Sequence, residues 1–558
     1  MARILPEFAA YLPGERVKLV VETEKGGELL LKSSFEPLRR LSVSPGVSVI
    51  EIDAGDPGVY EIVLEPEGVA ASLAVLERPS TPPLVAIVFH NHQAPNYSPN
   101  GSIREPWAFK HTWENEFHPY FEGGAYYVQA KLLKKWDIAW NANLSPSLLQ
   151  QWVDLVKRGV VINSDSVYLC IGPESPAANR VAETLQTFIE LSRGRLEVLT
   201  SFYSHPLSGY IVESFGWIDL LREELKLGKA ITSQVIGVDP RGVWLPEMSF
   251  SMKLIPILLD LGIEYTILDS VSHFTGAVGD KGGIFEPYTL DGLTVFFRHT
   301  GLSDLWSFKY SNVKSLKEAE VAARELTLRI VLEAYLNRAK PLTLALDGEN
   351  WMVLPSPKPT TPVLFDELLH QLKIAERKGL IKMVKLSEIV KEGGSRRLLS
   401  VPSKSWMGGY DKWTSERAVV QEKIWANVVN AYETFKALVN SVGCREEDLL
   451  ALMHVVNSDH IWAEFADESF SHEWASTLEN RLNLVLASIK LEGFSNGKLK
   501  LCNKFDRPVR VYLREDGTVR EVTLPTGFSE IEVAGSLVEI ELKGWRKSFK
   551  LCKPLVKK

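Results

Sequence analysis

Cysteine is scarce in this chain: four occur in 558 residues, and none sits in a C-x-x-C pair. A disulfide framework is excluded. Cys502 and Cys552 stand in matching strand-like settings, Leu-Lys-Leu-Cys-Asn and Phe-Lys-Leu-Cys-Lys. Two free buried thiols are expected there, with a bridge as the alternative in a hyperthermophile's cytosol. Long apolar runs are missing as well. None reaches 18 residues, which excludes a membrane-spanning helix. Met1 to Ala10 has neither a basic start nor an apolar core, so a cytoplasmic location is expected unless a signal has been trimmed away. Positive charge is in deficit, with a net charge of −7 and a pI near 6.0. That balance argues against a nucleic-acid partner and gives no sign of membrane attraction.

What is present is globular: 45% hydrophobic and 24% charged residues. A chain this long exceeds one core, so two to four domains are expected. Residues 1–80 carry short alternating runs such as Val17-Lys-Leu-Val-Val-Glu-Thr and Gly58-Val-Tyr-Glu-Ile-Val-Leu between turn residues, the pattern of a small β-sandwich. Ser80-Thr-Pro-Pro makes a stiff linker. From Leu84 strands and helices alternate, which predicts a parallel sheet or barrel over 81–395. Ala125 to Trp140 reads as one helix, and Trp136, Trp140 and Trp152 as helical core. Residues 396–492 hold long helical patterns, and 493–558 return to short strands, a terminal β domain.

Chemistry gathers at strand ends. In Gly242-Val243-Trp244-Leu245-Pro246-Glu247 an apolar run meets a proline that cannot sit in a central ladder, so the strand stops and Glu247 stands at its tip. Leu344-Ala345-Leu346-Asp347-Gly348-Glu349 repeats the plan one hundred residues later. In parallel sheets such tips are where reactions are run, and a pair of carboxylates is what glycoside hydrolysis requires. His90 and His92 follow the first strand of the alternating region and face the same way. They could hold a divalent metal together with His205 and Asp347, as in a metal-dependent hydrolase or deacetylase, or donate to sugar hydroxyls. His205, Asp269, Arg298 and Asp304 also lie at or just beyond strand ends. Each alone is more often an ion pair or cap; their recurrence is the signal.

Taken together, His90-Asn-His92-Gln93, Gly194-Arg-Leu-Glu197, Trp244-Leu-Pro-Glu247 and Leu346-Asp347-Gly-Glu349 resemble the first four motifs of glycoside hydrolase family 57. The resemblance runs from about residue 84 to 490 and includes Asn143-Leu-Ser-Pro. It implies an α/β fold, an incomplete (β/α)7 barrel with an appended helical domain covering its mouth, and action on α-glucans with retention. It also implies Glu247 as nucleophile, Asp347 as acid/base and no cofactor or metal. The Asp347-Gly-Glu349-Asn-Trp351 form looks most like the amylopullulanase group. Ala94 departs from the family's usual Gln-Pro, and the fifth motif is loose around Trp406 to Trp413.

The mechanism follows from chemistry alone. A carboxylate attacks the anomeric carbon while a protonated acid donates to the departing oxygen, then acts as base. Burial or a neighbouring anion has to keep Asp347 protonated, and Arg298 or a histidine would partner Glu247. Glu349 reads as an anchor. His90, His92, Gln93, Glu197, His205, Trp244, Asp269, Arg298, Asp304, Glu349, Trp351, Trp413, Asp459 and Trp462 are the candidate substrate-binding set. Trp413 and Trp462 could be sugar platforms or plain packing. The leading expectation is an α-glucan hydrolase cutting α-1,4 and α-1,6 bonds. A 4-α-glucanotransferase or branching enzyme is the alternative with the same pair, and a non-catalytic glucan-binding protein a third. Oligomeric state is not legible.

Overall fold

The computed structural model describes residues 2–33, 39–164, 168–337, 340–355, 357–392, 396–515, 517–535, 537–542 and 545–550. The chain divides into two compact units. The first holds residues 1–96, 103–203 and 207–409, and the second 97–102, 204–206 and 410–558.

Among the described residues of the first unit, these strands run parallel: β1 (Leu84–Asn91), β2 (Trp140–Leu144), β3 (Leu196–Leu199), β4 (Gly242–Val243), β5 (Tyr265–Asp269), β6 (Leu293–Arg298) and β7 (Leu342–Asp347), and the short strand Lys382–Met383 also pairs β1 in parallel. β1 lies between β2 and β7, and β2 pairs β3. A bridge from Thr200 to Val243 continues the order to β4, which pairs β5, and β5 pairs β6. At the far side the His299 amide donates to the Thr343 carbonyl at 2.7 Å. The strands are buried on both faces, hence their near-continuous Val/Ile/Leu/Ala sequences.

One face of these strands packs Val88, Leu199, Tyr265, Ile267, Phe296 and Ala345 together. Another cluster is aromatic: Phe89 meets Trp140 edge-on at 5.1 Å and Trp306 at 5.5 Å. Each such side chain contributes roughly 1.5–3 kcal/mol by leaving water. The helices have legible starts. Ser145 caps Pro146–Arg158 by accepting from Leu148, and Ser315 caps Leu316–Leu336 by accepting from Glu318 in a Ser-x-x-Glu box.

Two expectations change here. The helix beginning at Ala125 stops at Trp136, where Asp137 turns left-handed, and Trp140 opens a strand instead. Its neighbours Asn141 and Asn143, unusual inside a sheet, hid that strand. The strand before Pro246 is also shorter than the apolar run, ending at Val243.

Residues before Ser80 form two sheets of their own, Arg3–Pro6, Arg16–Thr23 and Gly46–Asp53 in one and five further strands in the other. They are docked rather than loose. Gln371 spans the junction, its amide oxygen accepting from Ala9 and its nitrogen donating to the Glu7 carbonyl. Arg324 donates to the Pro6 carbonyl, and Arg3 pairs with Glu320. Beyond the expected division at 395, the strand Arg396–Ser400 still pairs within the sheet of β4–β6, and the unit runs on to Gly409.

The second unit is built on helices Ala418–Val442, Glu446–Val455 and Glu468–Ser488, followed by a three-stranded and a four-stranded antiparallel sheet. The strand Ile489–Ser495 begins before the expected boundary at 493. Cys502 is buried with no disulfide partner among the described residues, and Cys552 lies outside them. No described helix is long and apolar enough to cross a membrane.

Candidate active site

The tips of β1, β4, β5, β6 and β7 carry the polar side chains. His90 at the end of β1 is level with Asp347 at the end of β7. The ring of His90 lies flat on Trp244, centroids 4.6 Å apart and 5° from parallel, and stacks on His92 at 5.4 Å. Its Nδ1 is 2.8 Å from Asn143 Oδ1. Asn143 uses its own amide N–H on the Leu199 carbonyl, so the oxygen is the atom facing His90. Nδ1 therefore carries the proton, and Nε2 is the acceptor. Burial holds the His92 imidazole well below the usual range, with His90 adding to the effect, so His92 is neutral.

Glu247 does not extend from a strand as expected. Pro246 opens a single 3-10 turn, and Glu247 sits within it at φ 54°, ψ 21°, followed by Met248 at φ 46°. Two consecutive left-handed residues that are not glycine are uncommon, and such geometry gathers at functional sites. Trp406 fixes the turn: its indole N–H donates to Glu247 Oε2 at 2.8 Å, and its amide to the Glu247 carbonyl at 3.0 Å.

The expected cation partner of Glu247, Arg298, is engaged elsewhere. Its Nε donates to Asp269 Oδ2 at 2.7 Å, Nη2 lies 3.3 Å from Asp304, and Nη1 donates to the Ala345 carbonyl. Its guanidinium also lies over the Trp406 ring at 5.7 Å. Asp269 further accepts from the Val271 and Ser272 amides and the Thr300 hydroxyl. Burial pushes its carboxyl up, but Arg298 and these donors outweigh that, leaving it below its ordinary value. For Asp304 burial wins over Arg298, and the carboxyl is raised.

Asp347 is exposed, with Asn350 donating to it at 3.1 Å. The burial expected to protect a proton falls on Glu349 instead. Only 3% exposed, Glu349 is raised well above the ordinary carboxyl range, by burial first and by Asp347 second. The His92 amide points at its Oε2, 3.4 Å away, and the neighbouring Tyr126 donates to the His92 carbonyl and accepts from Gln93 Nε2. Gly348 leaves room between the two acids: a Cβ there would come 1.9 Å from Asn91 Oδ1, so Asn91 would have to move.

Two expected members, Glu197 and Trp351, are committed elsewhere. Glu197 is turned to the beginning of β5, where it accepts from the Tyr265 hydroxyl at 2.6 Å and the Ser387 amide at 2.8 Å. Trp351 is 2% exposed and packed among Phe89, Trp306 and Phe365, so its faces are spent on core. In the second unit Trp413 is fully buried and meets Trp462 edge-on at 4.9 Å, while Lys412 lies over Trp462. His205, itself left-handed at φ 63°, is 2.9 Å from Ser458 and 3.8 Å from Asp459. Sequence reading placed Trp406 in the loose fifth motif, among tryptophans that could face sugar and not beside Glu247, took Asn143 only as part of the Asn143-Leu-Ser-Pro resemblance, and gave Tyr126 no role. The pairing of Asn143 with His90 had a signal, an asparagine inside an apolar strand; the others had none.

A family profile described as Glycosyl hydrolase family 57 matches residues 86–402. A 4-alpha-glucanotransferase of Thermococcus litoralis is 26% identical over 213 residues, 37% of this chain and 25% of its own length. The match thus spans about a quarter of that relative. Among solved structures, a branching enzyme of that family from Thermococcus kodakaraensis superposes with a TM-score of 0.51 at 16% identity, covering 71% of this chain and 88% of its own. An alpha-amylase from Thermotoga maritima gives 0.51 at 12%, covering 73% and 94%.

Proposed function

The chain belongs to glycosyl hydrolase family 57, and from that premise we propose that it is a retaining α-glucan-active enzyme with Glu247 as nucleophile and Asp347 as acid/base. The observation that carries the proposal is Glu247 itself, a carboxylate held in a left-handed turn by two hydrogen bonds from Trp406. Such a group is aimed before substrate arrives, which is what in-line attack on an anomeric carbon needs. Asp347 is level with His90 and exposed, so bound substrate, by excluding water, has to keep the proton that it gives to the leaving oxygen before it activates the acceptor. Glu349, kept neutral beside it, holds the His92 segment. His90, its faces stacked between Trp244 and His92, meets a sugar hydroxyl through its edge at Nε2. Asp304 and Arg298 contribute polar contacts.

Strands β1 to β7, closed by single contacts between β6 and β7, are read as an incomplete (β/α)7 barrel. Domains at 1–80, 81–395, 396–492 and 493–558, with the inner boundaries shifted toward 409 and 489, belong to the same proposal. The leading activity is hydrolysis of α-1,4 and α-1,6 bonds, as in amylopullulanases. Where a sugar hydroxyl replaces water as acceptor, the same pair performs transfer or branching.

Product analysis on maltodextrin and pullulan tests this, with Glu247→Gln alongside. Cleavage of pullulan supports the α-1,6 assignment, and lengthened or branched products assign transfer. Turnover by Glu247→Gln within a few-fold of wild type rules out the nucleophile.

A further inference from the structure

A second cleft lies in the connection that leads from β1 to the helix Ala125–Trp136. It is lined by Trp113, Glu114, Asn115, Glu116, Pro176 and Arg180 and measures about 490 Å³. That falls within the roughly 300–1,000 Å³ typical of small-molecule sites. None of these residues belongs to the strand tips.

The walls are already fixed. Arg180 Nη1 donates to Asn115 Oδ1 at 2.9 Å, its Nη2 lies 3.4 Å from Glu122, and its guanidinium lies over the Tyr127 ring at 5.0 Å. Asn115 Oδ1 also accepts from the Gly123 amide. Held this way, the guanidinium loses little freedom when it contacts a ligand. Glu116 is 8% exposed; its Oε1 is 3.0 Å from His111 Nδ1, while its enclosed Oε2 receives no hydrogen bond from any described residue. A carboxylate oxygen left that way is costly, so acceptor capacity is unspent beside the cleft.

Charge selects the ligand. Glu114, Glu116 and Glu122 stand against Lys110, Arg180 and Lys358, which pair with them at 3.4–4.0 Å. The sum is near neutral, so a bare cation meets three paired cations and an anion meets three carboxylates. A neutral molecule with many hydroxyls and one apolar face suits both the paired charges and the indole of Trp113. We propose that this cleft is an accessory carbohydrate site that takes a pyranose unit of an α-glucan. The class of sugar rests on the proposed function; the site's geometry does not.

The full chain provides the test, with affinity electrophoresis through amylopectin and turnover of a short chromogenic maltooligosaccharide measured together. Trp113→Ala should weaken the amylopectin interaction about tenfold, the equivalent of 1.4 kcal/mol, and leave kcat/KM on the short substrate within about twofold. Glu114→Ala, at a half-exposed carboxylate whose removal leaves no cavity, should weaken it in the same direction. If both variants fold and migrate as wild type does, the accessory site is refuted while activity on the short substrate still upholds the glucan reading. Should Trp113→Ala fail to fold, the Glu114→Ala result decides alone. Retardation of neither wild type nor variants, with no turnover, overturns both.

Discussion

Trp406 binds Glu247 twice, through its indole and through its backbone amide. Its carbonyl in turn accepts from Ser272, and its ring lies under Arg298. Removing the indole N–H with Trp406→Phe should therefore release Glu247 while keeping an apolar ring. A hydrogen bond to a charged group is worth about 1.5–3 kcal/mol, so kcat should drop roughly ten- to hundredfold with KM little changed. An effect on KM alone would mean that Trp406 only binds sugar.

Asp269 and Arg298 are both almost fully buried. Asp269→Asn leaves the guanidinium with Asp304 and the Ala345 carbonyl but removes the closest charge. Breaking one side of such a pair typically costs about 3–5 kcal/mol. Thermal melts should show that loss, and Arg298→Met with Asp269→Asn should recover much of it. Equal stability of Asp269→Asn and wild type would place the pair's importance elsewhere.

The pH response has two limbs of opposite sign. Burial depresses His273 and His454 to about 4, and His273 Nδ1 is occupied by the Asp269 amide. Unfolded histidine titrates near 6.5. Between those values the unfolded chain takes up protons that the native chain refuses, so stability present above about 6.5 is lost as pH falls. Each histidine contributes about 1.4 kcal/mol per pH unit at most in that window. Glu349 works the other way. Its raised carboxyl keeps its proton in the native state, so its share of stability is present at acid pH and lost as pH rises. Glu349→Gln should melt higher than wild type at pH 8 and equal to it at pH 4. The reverse order would show Glu349 to be ionised in the folded protein.

Metal removal separates the sugar-binding and metal-binding readings of the histidines. His90 lies against Trp244 with Nδ1 committed to Asn143, an arrangement suited to a sugar contact from Nε2. Prolonged chelation should leave turnover unchanged, with no stoichiometric zinc by elemental analysis. Activity lost on chelation and restored by zinc would reinstate the metal-dependent hydrolase.

Much of this site was legible because parallel strands read as unbroken apolar runs, so a histidine, an aspartate or a proline at their ends stands out. His90, Asp269, Arg298 and Asp347 were placed at strand ends that way, and strand ends are where they stand. Contacts made from outside a strand have no such contrast. Trp406 reaches Glu247 from 159 residues away, and no local pattern encodes that distance. Trp351 misled for a related reason. It directly follows the acidic motif at β7, yet Phe89, Trp306 and Phe365 enclose it, and enclosure is a property of packing. Glu197 shows the same limit in a strand: its position within β3 faces Tyr265, which lies at the start of β5 rather than its tip.

The left-handed backbone at Glu247 also bears on how this protein would respond to selection. A residue with a Cβ held in that region costs of the order of 1–3 kcal/mol, which glycine would recover. With Glu247 as the proposed nucleophile, position 247 is one where sturdiness and chemistry pull in opposite directions. Screens that reward yield or heat tolerance alone would favour Gly at that point and return well-behaved but inert protein, so stabilisation of this chain has to be selected with turnover in view.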